Sequence, residues 1–355
     1  MAQSASRAAA RARPARDRST VYEEITNKII GELEAGRLPW VQPWGSSTIR
    51  ASLGMPKNAA TGRAYSGINV LILWNAVVER GFTVQSWLTF KQAQALGGHV
   101  RAAERGTTIV YADRFIPDDM RDRAHERGEE PRGIPFLKRF TVFNADQCES
   151  LPGDVTAGPA PIDASLILPQ VKELLHATAA DVRIGGDKAY YDVAGDFIRV
   201  PPPRAFFEPI NFGRTLTHEL SHWSGASHRL SRDLSGALGS KPYYREELCA
   251  EISSAYICAT LGIVPTVRHA DYAGAWIDLM GEDSGAIVRA ASAASKAADY
   301  LLAFRDRQAG AAARENGHRT LPEACGPTCC RRFRPRGPLS GTRRVPEEEE
   351  GRGAS

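Results

Sequence analysis

The sequence predicts an α+β protein of two domains, the first mixing helices with strands and the second mainly helical with a short β-hairpin. Three observations carry this expectation. Residues 148–164 are rich in Gly, Pro and small residues and read as a linker. Before them, stretches of helical apolar spacing alternate with strand-like runs. After them, the long apolar patterns are almost all helical. The expected domains are therefore 20–147 and 165–305. They lie between a basic tail, 1–19, and a tail at 306–355 dominated by Arg, Pro and Gly, both expected to be disordered.

In the first domain, Val21, Ile25, Ile29, Ile30 and Leu33 fall at helical spacing, with Ser19 or Thr20 as cap and Gly36 as stop. A second helix is expected over 67–79, ending near Gly81. A third is expected over Thr89–Leu96, ending at Gly97-Gly98. Thr107–Tyr111 and Lys138–Phe143 read as strands flanking a charged insertion, 117–133, expected to be a mobile loop. In the second domain, Leu166–Ala180 is an amphipathic helix. Ala189–Val193 and Phe197–Val200 form a hairpin through Gly195-Asp196, closed by three prolines. Helices follow over Phe212–Trp223 and Tyr243–Leu261, the latter stopped by Gly262.

The 355 residues, 43% hydrophobic and 24% charged, are those of a folded soluble chain rather than a membrane protein. Even the Ala-rich stretch 285–304 is broken by Arg289, Lys296 and Asp299. The N-terminus lacks the apolar core of a secretory signal, and the six cysteines form no CxxC pair. A reducing, cytoplasmic setting is expected. Residues 1–18 hold five Arg against one Asp, and 305–355 hold eleven Arg against seven acids. Since the whole chain is +4, the part between is −4, and bulk charge gives little support for a nucleic-acid partner.

The strongest local signal is His218-Glu219-Leu220-Ser221-His222. On a helix, His218 and His222 project from one face one turn apart and can share a Zn²⁺. Glu219 can then act as general base. Spacing alone favours His228 as third ligand, because 218–228 reads HExxHxxGxxH with Gly225 at the turn and Met280 available for a Met-turn. The rival is the later pair Glu247 and Glu251, also four residues apart, of which one can ligate and the other orient a histidine. Glu246 fits a solvated helix face better. Tyr243, Tyr244, His228 and Arg229 are candidates to stabilise an oxyanion.

A series of segments in order carries a family resemblance. They are Tyr22-Glu23-Glu24-Ile25-Thr26, Leu33-Glu34-Ala35-Gly36, Pro39-Trp40-Val41-Gln42-Pro43-Trp44, Thr61-Gly62-Arg63-Ala64-Tyr65-Ser66-Gly67 and Trp87-Leu88-Thr89-Phe90-Lys91, followed by THELSHW at 217–223 and REELCAE at 245–251. Over about 20–304 the chain resembles the ArdC-like antirestriction proteins of conjugative plasmids and related mobile elements. The resemblance implies a single-stranded-DNA-binding domain joined to a zincin-like metallopeptidase domain, protecting incoming DNA. It also implies Glu247 as the third zinc ligand and Glu251 behind it. One departure is Ala102-Ala103, where the family tends to have Lys-Gly.

Single strands are held by aromatic stacking over a basic groove. Trp40, Trp44 and Tyr65 are the candidate platforms, and Lys57, Arg63 and Lys91 the candidate phosphate contacts, while Trp74 reads as core. The expected partners are single-stranded DNA and a protein substrate such as a host restriction factor, with no membrane. The alternative is a DNA-binding or replication accessory protein whose zinc site is structural or idle.

Overall fold

Helices in this protein start and stop where the sequence supplies caps. The computed structural model describes residues 20–41, 54–115, 120, 121, 123, 134–156, 167–264 and 270–318. Helix α1, Val21–Glu34, opens on Thr20, whose hydroxyl accepts from the Glu23 amide while the Glu23 carboxylate accepts from the Thr20 amide. Helix α3, Phe90–Ala95, repeats this box with Thr89 and Gln92. Between them, α2, Ile68–Arg80, begins at Gly67 (φ 59°) and ends at Gly81 (φ 67°), left-handed positions that favour glycine.

The first domain holds a four-stranded sheet of order β1-β2-β5-β4, from Lys57–Asn58 (β1), Ser86–Leu88 (β2), Thr107–Phe115 (β4) and Ile134–Asn144 (β5). The β4–β5 ladder runs from Thr107↔Val142 to Phe115↔Ile134, longer than its apolar pattern indicates. Backbone pairing continues where side-chain alternation has stopped. The insertion expected at 117–133 lies outside the described residues except at 120, 121 and 123. His99–Val100 (β3) pairs with Cys148–Glu149 (β6). A short helix, α4, Gly153–Thr156, then places Val155 in a small core with Leu88, Ala93 and Ala145. The start of the expected linker is thus built into the first domain.

The second domain comprises α5 (Ile167–Thr178), β7 (Asp181–Ile184), β8 (Tyr190–Asp192), β9 (Phe197–Val200), α6 (Pro209–Ser224), α7 (Lys241–Leu261), α8 (Ala273–Glu282) and α9 (Ala286–His318). Sheet order is β7-β9-β8, with β8 antiparallel and β7 parallel to β9. The hairpin is the expected one. Strand β7 is an addition, and its largely exposed residues leave no periodic trace. Helix α9 continues to His318, so residues 306–318, expected within a disordered tail, are helical. Residues 1–19 and 319–355 lie outside the described residues. Among the described residues, no helix is long and apolar enough to cross a membrane.

The two domains share one apolar core, which the linker reading does not anticipate. Trp40, expected as a base-stacking platform, is fully buried, edge-on to Trp276 of α8 with ring centroids 5.4 Å apart. It has no free face for a base. Trp74, as expected, is core, packed edge-on against Tyr256 of α7 and donating to the Gly54 carbonyl at 3.0 Å. Gly67 lies at the junction. Its amide donates to Ser295 Oγ at 2.7 Å, and its carbonyl accepts from the Tyr256 hydroxyl at 3.0 Å. The described residues up to Ala311 form one compact unit.

Candidate metal centre

The centre is built where α6 and α7 pack in antiparallel register. Small polar residues let these helices approach. Thr217 Oγ1 lies 2.8 Å from Ser254 Oγ, and Ser221 donates to Ser253 Oγ at 3.0 Å, all in buried positions. This zipper fixes which side chains meet one turn further on. His218 and His222, four apart on α6, face Glu251 and Glu247, four apart on α7.

The two Nε2 atoms lie 3.1 Å apart. Glu247 stands 3.5 Å from each, through Oε2 to His218 and Oε1 to His222. One ligand atom from each of His218, His222 and Glu247 falls within 4.8 Å of the others. Two imidazoles and a carboxylate at this spacing suit a divalent cation of zinc type. Each Nδ1 is backed by a carboxylate, Glu246 Oε1 at 3.1 Å from His222 and Glu251 Oε1 at 3.5 Å from His218. That leaves the Nε2 atoms for a metal.

Glu246 is not on a solvated face. Arg232 clamps it through Nε (3.0 Å) and Nη2 (2.7 Å), and Arg232 itself donates to Ser224 Oγ at 3.0 Å. Burial pushes the Glu246 carboxyl up, but His222 and Arg232 hold it below its ordinary value. Burial in turn works against charging His222, yet the Glu246 hydrogen bond and the charges of Glu246, Glu247 and Glu219 raise its pKa to about 9. Surroundings that favour a proton so strongly favour any cation at this point. Glu246→Gln is expected to weaken metal binding about 10- to 100-fold, measured by chelator competition, while the fold is kept. Unchanged affinity would make Glu246 a helix-packing residue only.

The centre opens into a cavity of about 310 Å³. Glu219 lines it beside the two histidines. Tyr190, Tyr191 and Val193 of the β8 region form one wall, and Tyr243, Tyr272 and the 233–236 loop form the other. Strand β8 is an edge strand with β9 on one side, so its other backbone edge faces away from the sheet. Tyr243 and Tyr272 are joined through their hydroxyls at 3.0 Å. Burial, the Tyr272 hydroxyl and the Glu247 charge all raise the Tyr243 pKa, so its phenol stays protonated.

Two family models cover most of the chain. Residues 19–143 match the N-terminal domain of the anti-restriction factor ArdC, and residues 169–293 match a zincin-like metallopeptidase. The metal-free crystal structure of antirestriction ArdC from plasmid R388 is 36% identical, with a TM-score of 0.67, covering 81% of this chain and 98% of that one. The chain belongs to the ArdC antirestriction family. A Mn(II)-bound structure of R388 ArdC matches equally, at 35% identity and TM-score 0.66. The uncharacterized protein y4eC of Sinorhizobium fredii is 35% identical over 295 residues, 92% of its length. Two Escherichia coli proteins named DNA primase TraC are each 34% identical, and the matched region is only 20% and 27% of their lengths.

The other expected residues of this ArdC-family chain divide cleanly. His228 is not part of the metal cluster. Its side chain is 60% exposed and meets Asp196 at 3.4 Å and Arg229 at 2.6 Å. Gly225 caps α6 in a right-handed conformation, and the chain folds back on the helix end, with the Leu230 amide donating to the Ser224 carbonyl at 3.0 Å and the Arg232 amide to the Gly225 carbonyl at 2.8 Å, which brings Arg232 rather than His228 to the residues behind the centre. Met280 is buried inside α8 rather than at a turn. Arg229 is a staple. It stacks on Trp223 at 3.9 Å and binds Asp196 and the Tyr191 hydroxyl, fastening the β8–β9 turn to α6. Tyr244 does not line the main cavity; it packs on Tyr272.

In the first domain, Asn58 ties together the segments that carry the expected DNA contacts. Its Nδ2 donates to Gln92 Oε1 at 3.2 Å and lies 3.4 Å from the Tyr65 hydroxyl. Lys57 precedes Asn58 and Lys91 precedes Gln92 in sequence, and Arg63 is on the turn between Asn58 and Tyr65, its carbonyl accepting from the Asn58 amide at 2.8 Å. Lys91 and Arg63 are exposed, while Lys57 and Tyr65 are half-buried. Trp44 lies outside the described residues. A second surface joins Tyr111, an aromatic that the sequence places among basic residues, to Phe140 and Lys138, which sequence spacing missed. Tyr111 (57% exposed) and Phe140 (42%) form an edge-on pair at 6.4 Å on β4–β5, with exposed Lys138 directly across from Tyr111.

Proposed function

We propose that this chain binds single-stranded DNA through its first domain and hydrolyses peptide bonds with zinc through its second, protecting incoming plasmid DNA during conjugation. The observation that carries the enzymatic half is the convergence of His218, His222 and Glu247 beside Glu219 in a cleft walled by an edge strand. His218, His222 and Glu247 would hold a Zn²⁺, which would supply Lewis acidity and lower the pKa of a water in the cleft. Glu219 takes the proton of the attacking water and returns it to the leaving amine. Tyr243 donates to the oxygen that gains charge. The free edge of β8 offers backbone groups to an extended substrate chain. The substrate is a protein, and a host restriction factor fits the family's role.

The test is metal removal. Chelator-treated protein is expected to lose cleavage of a generic unfolded protein and regain it on addition of Zn²⁺. A wild type that holds zinc and never cleaves leaves a DNA-binding protein with an idle metal centre.

DNA binding is favoured by exposed Arg63 and Lys91 on segments tied by Asn58, and by the Tyr111–Phe140 pair with Lys138. Tyr111→Ala combined with Phe140→Ala is expected to weaken binding of a short single strand by at least about tenfold, since each stacked base contributes about 1–3 kcal/mol. Fluorescence anisotropy at fixed salt reads this, and equal affinity would move the interface elsewhere.

A further inference from the structure

A second cavity, of about 350 Å³, opens between α1, α2 and the β4–β5 hairpin. Its inner surface is apolar, from Ile25, Leu71, Ile72 and Val110, with one exception. Asn75 of α2 lines the cavity, is only 4% exposed, and its Nδ2 has no hydrogen-bond partner among the described residues. The contrast with Asn69 on the same helix is instructive. The Asn69 amide is paired at both its nitrogen and its oxygen, donating to the Val110 carbonyl at 2.7 Å and accepting from the Val110 amide at 2.9 Å. Buried amides are almost always paired, because desolvation without a partner is unfavourable.

The cavity mouth is charged but balanced. Lys28 pairs with Glu79 and Arg139 with Glu24, each at 2.9 Å, and Arg80 donates to the Arg105 carbonyl at 2.6 Å. A paired rim and an apolar interior do not call for an anion inside. They suit a neutral group whose faces pack on aliphatic side chains and whose edge offers an acceptor to Asn75 Nδ2. We infer that this cavity holds a nucleobase, read by the Asn75 amide, with the sugar and phosphates outside near Arg80 and Arg139. A carboxamide presents one donor and one acceptor side by side, the pattern that matches a base edge. The inference rests on the single-stranded-DNA reading of the first domain and gives that domain a base-specific element. The shared chemistry is the base, whether in a strand or in a free nucleoside.

Anisotropy with labelled homopolymers of dA, dC and dT, beside competition by the four free deoxynucleosides, tests it on the full chain. Wild type is expected to prefer one base by about tenfold. Asn75→Leu is expected to abolish that preference while leaving Tm unchanged or higher, because an unpaired buried amide has been removed. Thr108→Trp, at an exposed strand position on the cavity mouth, is expected to block the pocket and lose the preference too. Competition by one free deoxynucleoside in wild type, lost in Asn75→Leu, supports the pocket even without strand preference. Strand binding with the same base preference in wild type and Asn75→Leu overturns the pocket but not DNA binding. A clear fall in Tm for Asn75→Leu makes the amide a structural group and also overturns it. If wild type binds neither strands nor nucleosides, the DNA reading falls with it.

Discussion

Glu247→Gln is expected to leave the protein without a tightly held divalent ion, whereas His228→Ala keeps its full complement. Glu247 stands 3.5 Å from both ring nitrogens, with an oxygen toward each, while His228 is exposed and occupied with Asp196 and Arg229. Loss of a partner behind a ligand costs about 10- to 100-fold in affinity, so loss of a charged ligand should exceed about a hundredfold. Glutamine keeps the side-chain volume in a buried position and so protects the α6–α7 packing. Metal analysis after dialysis against a weak chelator measures the difference. Retention of zinc in Glu247→Gln together with its loss in His228→Ala would reverse the ligand assignment.

Glu219→Gln is the complementary experiment. Glu219 lines the cleft one residue after a histidine and is not in the three-residue metal cluster. The variant should hold metal like wild type while peptide hydrolysis falls about 10²- to 10⁴-fold, the usual contribution of a positioned base. Cleavage at the wild-type rate with metal bound would remove Glu219 from the chemistry. Antirestriction that survives the substitution undiminished would separate DNA protection from peptidase action.

Local signals in the sequence were legible because their causes are local. The boxes at Thr20–Glu23 and Thr89–Gln92 and the glycine stops at 81 and 262 act within four residues, and the helices begin and end close to them. His218, Glu219 and His222 were readable for the same reason, since one helical turn brings both imidazoles to one side. What escaped depends on distant partners. Trp40 occupies a Pro-rich, aperiodic stretch, and the ring that buries it is 236 positions away. Nothing near Glu246 marks it as buried, because Arg232 and His222 reach it from another helix and a loop. Strand β7 alternates too weakly to register, and the exposure of Tyr111 and Phe140 is a property of the hairpin face rather than of spacing. The choice between Glu247 and His228 turns on how the chain leaves α6, which no count of residues decides.

The common core has a consequence for how this protein can be cut and moved. Trp40 against Trp276, Trp74 against Tyr256 and Gly67 between Ser295 and Tyr256 mean that neither half carries a finished interior of its own. A scissor placed in the Gly- and Pro-rich stretch near 157–166 would expose tryptophans on both pieces and leave two sticky fragments instead of two working modules. Recombination faces the same constraint. In the TraC chains some 300 aligned residues, covering both halves, lie as one continuous block inside a much longer polypeptide. The smallest cargo that can be transplanted intact is the pair.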